Sequence, residues 1–139
     1  MSKVFLSWYD GQDHSLANEF FGLLKQHEFT VEHSPFSPHS GFVDTRWINW
    51  YKSGLPQAIQ WAELFIAVLT PSCSGSTWMM QEYEEAFSSF MKSKHPLLYY
   101  IRFDTSDDRL NYPDYYLKSS IQLSSVPEEA VRKLLLSHY

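Results

Sequence analysis

The chain has 139 residues, 17% of them aromatic, with a formal charge of −5 and a single cysteine. No run of Lys or Arg occurs, which argues against nucleic-acid binding through phosphate neutralisation, and Cys73 alone excludes an internal disulfide or a multi-cysteine metal site. No apolar stretch nears the ~18 residues of a membrane span, and no basic-then-apolar leader opens the sequence, so a cytoplasmic protein of one domain over residues 1–139 is expected.

Val4-Phe5-Leu6-Ser7-Trp8 reads as a short strand ending in the turn Tyr9-Asp10-Gly11-Gln12, with Asp13 as N-cap of the helix that follows. Leu16, Phe20, Leu23 and Leu24 carry that helix to about His27. Phe29–His33 is a strand candidate, and Ser34–Thr45, with two prolines and a glycine, is a loop. Trp47, Ile48, Tyr51 and Leu55 suggest a helix interrupted or restarted at Gly54-Leu55-Pro56, because proline fits only a first turn. Leu64–Leu69 is six consecutive apolar residues, a strand covered on both faces. After a small-residue loop, Met79, Tyr83, Ala86, Phe87 and Phe90 mark a helix ending near Lys94-His95-Pro96.

Leu97–Phe103 reads as another buried strand, and Asp104–Lys118 has no assignable pattern. Ile121–Leu123 is a short strand, and Ser125-Val126-Pro127-Glu128 resembles a capping box opening a last helix through Ala130, Val131, Leu134 and Leu135. The alternation predicts a flavodoxin-like doubly wound α/β fold. Its sheet has about five parallel strands in the order 2-1-3-4-5, with helices on both faces. Ligands of such sheets bind beyond the strands' carboxyl ends, here between Ser7–Asp10 and Thr70–Trp78. Glu82, four residues after Trp78, shares its helix face.

Each candidate also has a plain reading. Glu82, beside Glu84 and Glu85, reads as a solvated helix charge on context alone. Trp78 reads as a core residue, and Ser7 as a backbone-capping hydroxyl. Cys73 lacks a positioned base, and the six histidines show no ligand spacing, so no metal site is expected.

Several segments nevertheless resemble the Toll/interleukin-1 receptor (TIR) domain. Val4–Trp8 is similar to the family's first box, Asp13 to the acidic residue opening its first helix, and Trp47 through Ala58-Ile59 to the stretch before its third strand. Phe65–Pro71 resembles that strand with its terminal Ser/Thr-Pro, and Ser76-Thr77-Trp78 followed by Glu82 matches Ser-x-Trp-x-x-x-Glu. The chain departs from the family at Met79, where cysteine is common, at Ala62, where serine is frequent, and across the BB loop, Ser34–Thr45.

The resemblance implies an NAD+-consuming enzyme of the bacterial antiphage-immunity type, a nucleosidase or an ADP-ribosyl cyclase making a nucleotide signal for a separate effector. It implies Glu82 as the catalytic carboxylate, with Ser7, Trp8, Tyr9, Ser76 and Trp78 around the substrate. It also implies self-association through TIR–TIR contacts, with Phe36, Phe42 and Trp47 at the BB loop. NAD+ enters as substrate, and no cofactor is implied. A non-catalytic TIR scaffold is the alternative, and many such adaptors lack the glutamate. A deoxyribosyltransferase-like enzyme shares the architecture, but its substrate motifs are not evident. A phosphoacceptor receiver needs an aspartate ending the third strand, where Thr70-Pro71 stands.

Overall fold

The computed structural model describes residues 2–8, 15–33, 48–69, 77–103 and 118–138. Five parallel strands form one sheet: β1 (Lys3–Trp8), β2 (Thr30–Glu32), β3 (Leu64–Leu69), β4 (Leu97–Arg102) and β5 (Ile121–Gln122). Their order is β2-β1-β3-β4-β5, as the alternation of elements predicts. The central strands are apolar along their length because helices cover both faces; all six residues of β3 are buried.

Successive side chains of a strand point to opposite faces, and two cores result. Val4 and Leu6 of β1, Leu64, Ile66 and Val68 of β3, and Tyr99 and Ile101 of β4 pack with α1 (Ser15–Gln26) and α4 (Pro127–His138). Phe5, Phe65, Ala67, Leu69 and Leu98 pack on the other face with α2 (Leu55–Trp61) and α3 (Thr77–Ser93). Phe5 and Phe65 stack at 5.8 Å, and Tyr83 of α3 meets Phe65 edge-on at 5.5 Å.

Helix α1 ends in a left-handed residue, Glu28 at φ 66°. The Phe29 N–H donates to the Leu24 carbonyl and the Glu28 N–H to the Lys25 carbonyl, the pairing of a Schellman motif, and buried Phe29 joins Leu24 in the core. One expectation at a helix start is revised. The last helix begins at Pro127, so Val126 rather than Ser125 holds the N-cap position, its carbonyl accepting from the Ala130 N–H. The serine that reaches this backbone is Ser124, whose hydroxyl accepts from the Val126 N–H at 3.1 Å.

At Gly54-Leu55-Pro56 the α-helix restarts with Pro56 in its first turn, as expected. Residues Trp50–Gly54 form a π-helical turn running directly into α2, and the Leu55 N–H donates to the Trp50 carbonyl five residues back. Pro56 has no N–H to continue an α ladder, so the wider turn falls where the ladder is already interrupted. Gly54 is helical and carries no Cβ; one placed there would lie 2.4 Å from the Trp50 ring.

Candidate functional site

Ser7 is the fifth residue of β1 and stands on the α2/α3 side of the sheet, in the same face series as Phe5. Glu82 is the sixth residue of α3, on the helix face that also buries Met79, Tyr83 and Ala86. The two meet: the Ser7 hydroxyl donates to Glu82 Oε1 at 2.8 Å, and the residues are 0% and 1% exposed. Its neighbour Glu84 is exposed and Glu85 intermediate, so the three glutamates of this helix occupy different surroundings. Glu82 is the one carried inward, because residues 79, 82, 83 and 86 recur at helical spacing against the sheet.

A buried carboxylate is unfavourable unless hydrogen-bonded, and a hydroxyl donor held by a strand meets that need in one fixed direction. Tyr51, on the π-helical turn, brings a phenol into the same neighbourhood. Burial first, and then the negative charge of Glu82, hold its ionisation well above the usual tyrosine range. The phenol therefore remains a neutral O–H near the carboxylate. Nothing in the residue pattern singled out Tyr51, which reads as one more apolar position of an interrupted helix. A groove of about 560 Å³ lies between this turn and α3, bordered by Ile48, Tyr51, Leu55, Gln81 and Glu85. Glu82 faces the sheet rather than this groove.

Trp8 is not on the side of the sheet occupied by Glu82. Strand alternation sets this: Ser7 faces α3, so Trp8 faces α1. There its indole stacks on Phe21 at 4.9 Å and lies 6.0 Å from His33. Trp78 falls in α3 one turn before Glu82, with its side chain outside the described residues. Tyr9, Ser76, Phe36, Phe42, Trp47, Asp13 and Cys73 also lie outside the described residues. Among the described residues no group of three or more His, Cys, Asp or Glu is placed to hold a metal, and no helix is long and apolar enough to cross a membrane.

The fold is that of TIR domains. The structure is similar to the TIR domains of the activated Roq1 resistosome, an assembly that directly recognises the pathogen effector XopQ, with a TM-score of 0.63, full coverage of both chains and 12% sequence identity. At that identity the likeness concerns the fold. No family model matches the sequence, and no curated protein is significantly similar to it.

Proposed function

We propose that the protein is an NAD+-cleaving TIR enzyme, a nucleosidase or an ADP-ribosyl cyclase, in which Glu82 is the catalytic carboxylate. The single observation that supports this reading is the buried Ser7–Glu82 hydrogen bond near the carboxyl ends of β1 and β3, on a TIR-like sheet. Cleavage of the bond between nicotinamide and ribose develops an oxocarbenium-like charge. An ionised carboxylate stabilises that charge, or steers it through the ribose hydroxyls, most effectively where water is excluded. Nicotinamide leaves as a neutral ring, so no second, acidic carboxylate is required. Ser7 holds the carboxylate in one fixed direction by its bond to Oε1, and Trp78 supplies a flat surface for a ring.

A carboxylate 1% exposed must be uncovered before a dinucleotide reaches it. Self-association through TIR–TIR contacts, with Phe36, Phe42 and Trp47 in the contacting loop, provides that step, and the resistosome containing the similar TIR domains is itself an assembly. Specific activity then rises with protein concentration; a rate strictly linear in enzyme, from a monomer by light scattering, would show a site complete within one chain. The bacterial antiphage role, with a separate effector sensing the product, belongs to the same proposal, as does a cytoplasmic location. The proposal is tested by incubating purified protein with NAD+ and identifying products by mass spectrometry. Free nicotinamide with ADP-ribose or a cyclic isomer supports it, and intact NAD+ at high protein concentration refutes it.

A further inference from the structure

Arg102 closes β4 at the carboxyl end of the sheet. Leu98 and Tyr100 of this strand pack with the α2/α3 core, and Tyr99 and Ile101 with the opposite one, so alternation sets Arg102 on the α3 side. That is the side of Ser7 and Glu82. Across the sheet Ser7 pairs with Ala67 and Ala67 with Tyr100, while Arg102 pairs with Leu69 one side-chain repeat further on. From Ser7, Arg102 is thus two strands across and two residues toward the carboxyl end, displacements of about 10 Å and about 7 Å.

Among the described residues, Arg102 Nε is a buried side-chain nitrogen with no hydrogen-bond partner, although the residue as a whole keeps partial exposure. A guanidinium is always charged and has only donors to offer. Native structures seldom leave a buried donor unpaired, and such a group has a reason to be sought. The edge formed by Nε and one Nη presents two parallel N–H groups, the spacing that fits two oxygens of one phosphate or carboxylate. In a chain of net charge −5, a cation held at the ligand-binding end of the sheet is the feature that favours an anion there.

We propose that Arg102 binds the phosphate oxygens of a diphosphate-bearing nucleotide at the sheet end it shares with Glu82. The identity of that nucleotide as a dinucleotide rests on the function proposed above; the anion site does not. Glu82 then acts at the ribose, and Arg102 holds the diphosphate further along the sheet edge, so affinity and chemistry reside on different strands.

The test is titration of ADP-ribose, followed by the 31P resonances of its diphosphate, into wild type, Arg102→Gln, Arg102→Lys and, as a control at an exposed arginine of α4, Arg132→Gln proteins, each verified as folded by circular dichroism. Wild type and Arg132→Gln are expected to bind alike. Arg102→Gln weakens binding about tenfold, the scale of one lost charge-assisted forked contact, and Arg102→Lys falls between. With NAD+ the same loss appears in KM rather than in kcat. Should Arg102→Gln not fold, Arg102→Lys carries the comparison, with about threefold weaker binding expected. Equal affinity in wild type and a folded Arg102 variant, or no binding by wild type, overturns the inference. Arg102-dependent binding in a protein that leaves NAD+ intact would uphold the anion site and remove the enzymatic reading.

Discussion

Ser7 and Glu82 are 75 positions apart in sequence, yet the serine hydroxyl lies 2.8 Å from the carboxylate and both side chains are buried. The bond joins the interior strand β1 to helix α3, a polar tie between the sheet and the helix covering it.

Removing one member of such a pair costs more than removing both, because the survivor stays buried without its partner. Ser7→Ala is expected to lower stability by about 1–3 kcal/mol. In a cycle with Glu82→Met, which replaces the carboxylate by an apolar chain of similar length, the double variant recovers part of that loss. Denaturant unfolding of the four proteins measures the coupling, and effects that add within ~0.5 kcal/mol would mean the bond does not form in solution.

Among the described residues, two helical glycines predict opposite signs for one chemical change. Gly22 has open space where an alanine methyl would sit, so Gly22→Ala stabilises by about 0.5–1 kcal/mol, the helical advantage of alanine. At Gly54 the new methyl lies 2.4 Å from the Trp50 ring, which packs against the α2/α3 core, and overpacking of about 1–3 kcal/mol outweighs that advantage. Thermal unfolding of both variants decides; a stabilised Gly54→Ala would contradict the close approach at the π-helical turn.

Alkaline stability follows from the buried phenols. Tyr51 and Tyr83 have ionisations raised above the ordinary value of 10.0, chiefly by burial, with Glu82 adding to the first and Tyr100 to the second. The unfolded chain loses these protons from about pH 10 upward while the native state keeps them, so it binds fewer protons and stability falls as pH rises. Below about pH 9 these groups contribute no slope. Melting temperatures between about pH 8 and pH 11 are expected to be flat and then to drop, and Tyr83→Phe lessens the drop.

The sheet order was legible because Leu64–Leu69 has no polar face and because helical and strand periodicities alternate cleanly along the chain. Glu82 was legible only through its spacing from Trp78; its burial was not, since neighbouring Glu84 and Glu85 suggest a solvated face. The placement of Trp8 was available from alternation, because a strand with Ser7 on one side must present Trp8 to the other. The π-helical turn was not, because proline at position 56 reads equally as a break or as a first turn. The Arg102 donor was hidden for a different reason: a charged residue ending a strand looks like a solvated terminus until the packing around its Nε is known.

The enzymatic proposal requires a carboxylate at position 82. Glu82→Gln keeps the length and the acceptor for Ser7 but removes the charge, and loss of one such electrostatic group costs about a hundredfold or more in rate. The direct measurement is NAD+ consumption by wild type and Glu82→Gln at equal, high protein concentration, with circular dichroism confirming the same fold. Turnover is expected in the wild type, and at least about a hundredfold less in the variant. A folded Glu82→Gln protein that consumes NAD+ at the wild-type rate would contradict the proposal.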